Sequence, residues 1–334
     1  MDDFKWRFLQ GKFSALRWAR SGISSIRKSE LGNNMGKFPV WIGCREAQEK
    51  FLEENREFVQ ECTELVELLR KIFIRKLEPP SPAEFMKLDG LPEDSNPVKE
   101  FYSRVMADRI VFYMGRIAAD DFSELLTLAA NGYGFGALKI LRSMYEHVVT
   151  SAFIAKNPAE WEAFANDSAI KRHKIWKRTV AWLPETAERY DIVQQDWLQR
   201  TYAEAISRYK STVCKKCGQP VTQEAWTRVD LETMAKQTDV NLELLYAFCY
   251  LKPLCHSHAT AFGMECHIVE TEEMVTYRDS SPDEARQACH LAHNLVLRLI
   301  SLQNENSRLG LDDAIKTRMD KFSEIWDKIH AGEE

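Results

Sequence analysis

From Arg45 to about Lys76 the apolar residues Phe51, Phe58, Cys62, Leu65, Leu68, Leu69 and Ile72 recur at helical spacing, with Glu and Lys in the gaps. Such a stripe is the mark of an amphipathic helix that buries one face. Glu78-Pro-Pro-Ser-Pro82 ends it, Pro82 starts a short helix, and Asp89 to Pro97 reads as a loop with Asn96-Pro97 as the next start signal. The pattern then predicts helices at about 98–117, 121–130 and 135–156, a fourth from Pro158 to about 183 and a fifth over 185–210. Asp120-Asp121 reads as a helix cap. After a break at 211–223, helical spacing resumes at about 230–237 and 241–252. The stretch 262–280 is the least periodic and has room for a short strand or loop. Ser281-Pro282-Asp283 caps a long helix through Leu302, and Asp312 starts the last. The expectation is an all-α fold, a multi-helix bundle with a small Cys-x2-Cys insertion resembling a zinc knuckle.

Composition sharpens this. The 334 residues hold 14 Gly and 11 Pro, well under the usual share of about 12% for the two together. Turn-rich sandwiches, barrels and Gly-rich nucleotide folds are disfavoured, and long helices are favoured. Lys+Arg 45 against Asp+Glu 50 gives a net charge of −5, so no global basic field is available to hold nucleic acid. No run of 18 uncharged apolar residues exists, so no membrane span is expected. Trp6, Arg7, Lys12, Arg17 and Arg20 interrupt any signal-peptide core. A cytoplasmic protein with reduced cysteines follows. The chain divides into a basic aromatic arm (1–34), a long N-terminal helix and linker (35–95), a central bundle (96–210), a knuckle insertion (211–229) and C-terminal helices completing the bundle (230–334).

Chemistry concentrates in two places. Leu138, Ile140, Leu141, Met144, Tyr145, Val148, Val149, Ala152 and Phe153 leave one helix apolar on nearly every side, as in a buried helix. Arg142, Glu146 and His147 inside it need partners, since an unpaired buried ion costs several kcal/mol. Arg142 and Glu146 stand at i,i+4 and can pair, whereas His147 must look to another element. Such clusters either fix packing or tune catalytic groups.

Cys214-Lys-Lys-Cys217-Gly218 has the form of a zinc knuckle, with Gly in the positive-φ turn position. Cys255 and His258, spaced Cys-x2-His, are the best candidates for the third and fourth ligands of a structural zinc, with His256, Cys249 and Cys266 in reserve. A surface hairpin with two thiols and a redox pair are the other readings of the same motif. If His258 binds metal, His256 is free for the polar cluster. Lys171-Arg-His-Lys174 with Trp176, Lys177 and Arg178 forms a basic stripe able to meet RNA phosphates or simply to face water. Arg286, His290 and His293 share one helix face, where core histidines and a polar site are both open readings.

Arg142-x4-His147 resembles the R-x4–6-H motif of HEPN ribonucleases; Arg286-x6-His293 fits it too. In that family the Arg and His of two facing subunits cut RNA without metal. The resemblance implies His147 as acid/base, Arg142 as charge stabiliser, a homodimer and RNA as partner. The stretch from Ala137 through Arg142 and Glu146 to Phe153 also resembles the R-x3-E helix of a bacterial helical family of unknown function. That family's later Tyr…His-x-Ser segment is similar to Tyr246-Ala-Phe-Cys-Tyr-Leu-Lys-Pro-Leu-Cys-His256-Ser-His258. This second resemblance spans about 95–300 and implies that Arg142, Glu146 and His256 meet in one polar site. Two functions follow: a HEPN-like endoribonuclease of defence or toxin biology, or a non-enzymatic helical interaction or sensor protein.

Overall fold

A computed structural model describes residues 45–74, 80–185, 192–208, 212–213, 217–218, 220–221, 226–227, 229–238, 240–258, 260–270, 275–277 and 282–331. The basic arm over 1–34 and Cys214 lie outside the described residues. Helix is the dominant element, as the Gly and Pro shortage requires.

The first stripe forms two helices, α1 (Arg45–Glu54) and α2 (Arg56–Ile74), where one was expected. Asn55 divides them: its buried side chain donates to the Phe51 carbonyl at 2.9 Å, and its own N–H shares that acceptor. Sharing one carbonyl between two donors loosens the turn there, while the Val59 N–H still bonds the Asn55 carbonyl at 2.9 Å. A capping box of Ser81 and Glu84 opens the short α3 (Pro82–Met86). Next comes α4 (Asn96–Ala130), which replaces the two expected helices with one. Asp120-Asp121 does not cap anything. Ala118, Ala119 and Phe122 around the pair are buried, and their packing outweighs the small helix penalty of Asp, about 0.7 kcal/mol.

Gly132, at φ +81°, takes the left-handed turn position that lets α5 (Gly134–Lys156) fold back on α4. A 3₁₀ turn at Pro158–Glu160 leads into α6 (Trp161–Trp182), which pairs with α7 (Ile192–Arg208). Strands β1 (Thr212–Val213) and β2 (Pro220–Val221) form an antiparallel hairpin inside the expected insertion. Then follow α8 (Leu231–Lys236), a 3₁₀ turn at Leu242–Leu245, a π-helical stretch at Ala247–Leu251, α9 (Lys252–Ser257) and α10 (Ala261–Glu265). The least periodic stretch holds a second antiparallel hairpin, β3 (Ile268–Glu270) with β4 (Val275–Tyr277). Helices α11 (Pro282–Ser307) and α12 (Asp312–Ala331) complete the described residues. None of the described helices is long and apolar enough to cross a membrane.

The core is the mutual packing of α4, α5 and α11, with α2 against α4 and α12. Leu138, Leu141, Met144, Tyr145 and Ile154 of α5 are fully buried, which accounts for its all-round apolar sequence. Several polar groups within this core find partners across it. Gln303 on α11 and Ser151 on α5 both donate to the Val111 carbonyl of α4, at 2.8 and 3.2 Å. The fully buried Glu61 on α2 meets Arg318 and Lys321 on α12, each at 2.8 Å, tying the last helix down.

Candidate functional site

Arg142 leaves the core face of α5 at its edge. Its Nε donates to Glu146 Oε1 at 3.0 Å, the i,i+4 pair expected on one helix. The second partner is His258, whose Nε2 lies 3.1 Å from Arg142 Nη1. A guanidinium has no acceptor, so the imidazole nitrogen is the acceptor of this contact. The guanidinium also stands over the Tyr250 ring, 5.0 Å from its centroid, and Tyr250 stacks on Tyr246 at 5.3 Å. The Arg142 side chain is 20% exposed and that of Glu146 42%, so the cluster is half open to water rather than sealed.

Local backbone explains how distant residues reach it. Pro253 in the first turn of α9 cannot donate to a ladder. The chain ahead of it widens into the π stretch, and the Lys252 N–H reaches back to Ala247. This turn presents Tyr246 and Tyr250 to α5. The α9 helix then ends at Ser257, and His258, in extended backbone (φ −120°, ψ 154°), reaches Arg142. Below the cluster, the buried Tyr145 hydroxyl donates to the Leu242 carbonyl at 2.9 Å and anchors the segment. Burial pushes that phenol well above its usual range.

The other expected site residues lie elsewhere. His147 points to α4, where its Nδ1 is 2.7 Å from Asp121 Oδ2 in a half-buried ion-pair geometry. His256 is buried against Phe135, with ring centroids 4.8 Å apart and His267 on the same phenyl ring. Its Nδ1 is buried without a hydrogen bond, and burial, then His267, lowers its pKa. The structure therefore brings Arg142 and Glu146 together with His258, and leaves His147 and His256 outside that cluster.

Of the expected metal ligands, Cys217 is exposed in a turn beside Gly218 at φ +69°. Cys255 is half buried with its thiol 3.6 Å from the Leu251 carbonyl, and His258 Nε2 is taken by Arg142. Among the described residues no three His, Cys, Asp or Glu side chains are grouped as metal ligands.

His290 and His293 are core residues, packed on Phe58, Phe322 and Trp326. Arg286 instead bridges to Glu54 at 3.6 Å.

Tyr250 and Asp121 stood in no expected site, and Tyr246 entered only as the first residue of the family-like segment. The i,i+4 spacing of the two tyrosines was the available signal. Asp121 carried none, because its partner lies on a different helix.

A model for a family of unknown function, DUF5677, matches residues 109–275, which spans the α4–α5 core, Arg142 and His258. No curated protein and no solved structure matches the chain.

Proposed function

The chain belongs to that family of unknown function, and on this premise we propose that the Arg142 cluster is the centre of a HEPN-like, metal-independent endoribonuclease of bacterial defence or toxin biology. The observation that carries the reading is the contact of Arg142 with His258 at a half-open surface. A neutral imidazole beside a guanidinium is the pairing that phosphodiester cleavage in RNA needs. As the phosphate draws the Arg142 guanidinium onto itself, His258 Nε2 is released to take the proton of a ribose 2′-hydroxyl, and the oxygen attacks the adjacent phosphorus. Arg142, oriented by Glu146, stabilises the added charge on the phosphoryl oxygens. The 5′-oxygen leaves with a proton from water, the hydroxide so formed takes the proton back from His258, and the product end is a 2′,3′-cyclic phosphate. In this assignment His258 takes the role that the motif implied for His147.

Exposed Leu244, Phe248 and Leu251, at i, i+4 and i+7 on the segment that bears Tyr250, support a second copy of the chain as the cover of this face. A structural zinc at Cys214 and Cys217 is a further proposal. It is supported by the β1–β2 hairpin around the motif and by Gly218 in the left-handed turn position.

The non-enzymatic reading, an interaction or sensor protein, is favoured by one feature. His147 is already satisfied by Asp121, so one of the expected polar residues serves packing.

Incubating the purified protein with total RNA, alongside Arg142→Ala, His258→Ala and His147→Ala, tests the assignment. Cleavage lost in the first two variants and kept in the third supports it. Equal cleavage by all, or none by the wild type, overturns it.

A further inference from the structure

The α6–α7 hairpin holds a small apolar cluster of its own, with Ala169 and Ile170 against Ala205, Tyr202 and Ile206. His173 stacks on Tyr202 at 4.0 Å, and the Arg172 guanidinium stands over the Trp197 ring at 5.9 Å. This antiparallel pairing brings Val193, at the start of α7, to the same end as Trp182 and Leu183. That end is unusually apolar for a surface: Trp182 is 85% exposed, Val193 72%, Ile175 65% and Leu183 50%.

Charge surrounds these side chains. Lys171, Lys174, Ile175, Arg178 and Trp182 follow one another at i, i+3, i+4, i+7 and i+11, which places them on one face of α6. From Lys171 to Pro184 there is no acidic residue. Lys171 pairs with Asp167 at 2.7 Å. Lys174, Lys177 and Arg178 make no ion pair among the described residues, and the nearest acids in sequence are Asp167 before them and Glu185, Glu188 and Asp191 after them.

We propose that this end of the hairpin docks on an anionic lipid surface, with Ile175, Trp182, Leu183 and Val193 entering the headgroup boundary and Lys174, Lys177 and Arg178 meeting the phosphates. Charge complementarity selects an anionic partner. The three aliphatic side chains select lipid over nucleic acid, because RNA can stack on a Trp ring but gives Ile, Leu and Val nothing to stack on. The docking is independent of the Arg142 chemistry and stands or falls separately from it.

The test is co-sedimentation of the full chain with vesicles of phosphatidylcholine alone and of phosphatidylcholine carrying about one phosphatidylserine in four. The protein sediments with the anionic vesicles only. Ile175→Ser with Trp182→Ser weakens binding by about tenfold or more, and so does Lys174→Glu with Arg178→Glu. All four positions are exposed, and unchanged circular dichroism checks that the variants fold. Absence of binding to anionic vesicles overturns the proposal, as does binding undiminished by the Ser pair. A single-stranded RNA oligonucleotide bound through the same cations, without vesicle binding, assigns the face to nucleic acid and also overturns it.

Discussion

Arg142 and His258 lie 116 positions apart in the chain and meet at 3.1 Å, with the imidazole nitrogen as acceptor. The contact joins the most buried helix of the core to the irregular segment that follows the π stretch. It sets a guanidinium and an imidazole side by side where water can enter.

The close packing around α4 has one position where a single methyl group is decisive. A Cβ at Gly115 would fall 2.3 Å from Gln303 Nε2 and 2.9 Å from Phe73 Cζ. Gln303 is buried and donates to the Val111 carbonyl. Gly115→Ala therefore costs about 1–3 kcal/mol of stability, through lost hydrogen bonding and overpacking. Urea unfolding of the two proteins measures it, and an unchanged midpoint would remove the account of this contact.

His293 makes the core sensitive to acid. Burial, then His290 and Arg318, holds its pKa at about 3 against an ordinary value of 6.5. Both ring nitrogens are buried without hydrogen bonds. The unfolded chain binds a proton there that the folded chain refuses, so stability falls as pH drops from about 6.5 towards 3. In that window His293→Leu removes about 1.4 kcal/mol per pH unit from the slope of unfolding free energy against pH. Parallel slopes for the two proteins would contradict this.

How much of this was legible in the sequence differs from element to element. The all-round apolar pattern of residues 134–156 announced the buried helix, and the Arg142–Glu146 pair follows from i,i+4 spacing alone. The continuity through Asp120-Asp121 was not legible, because it depends on what packs against the helix rather than on its own residues. From the sequence alone, His256 goes to the Arg142 cluster and His258 to the metal. The end of α9 decides between them: His256 is still helical and turns onto Phe135, whereas His258 is extended and reaches Arg142. A local pattern does not contain that choice.

The Cys-x2-Cys hairpin has a direct assay. Purified wild type carries about one zinc per chain if Cys214 and Cys217 anchor a closed site. Cys214→Ser then loses the metal and part of its thermal stability. Equal zinc content in the two proteins, or none in the wild type, removes the knuckle.

The most direct measurement of the central claim is cleavage of a short labelled RNA in the presence of a chelator, with the product ends identified by mass spectrometry. The wild type should yield 2′,3′-cyclic phosphate ends. Arg142→Ala and His258→Ala should each slow cleavage by about a hundredfold or more, the usual scale for losing a charge stabiliser or a general base. Undiminished cleavage by His258→Ala, or an intact RNA with the wild-type protein, would contradict a catalytic role for the Arg142–His258 pair.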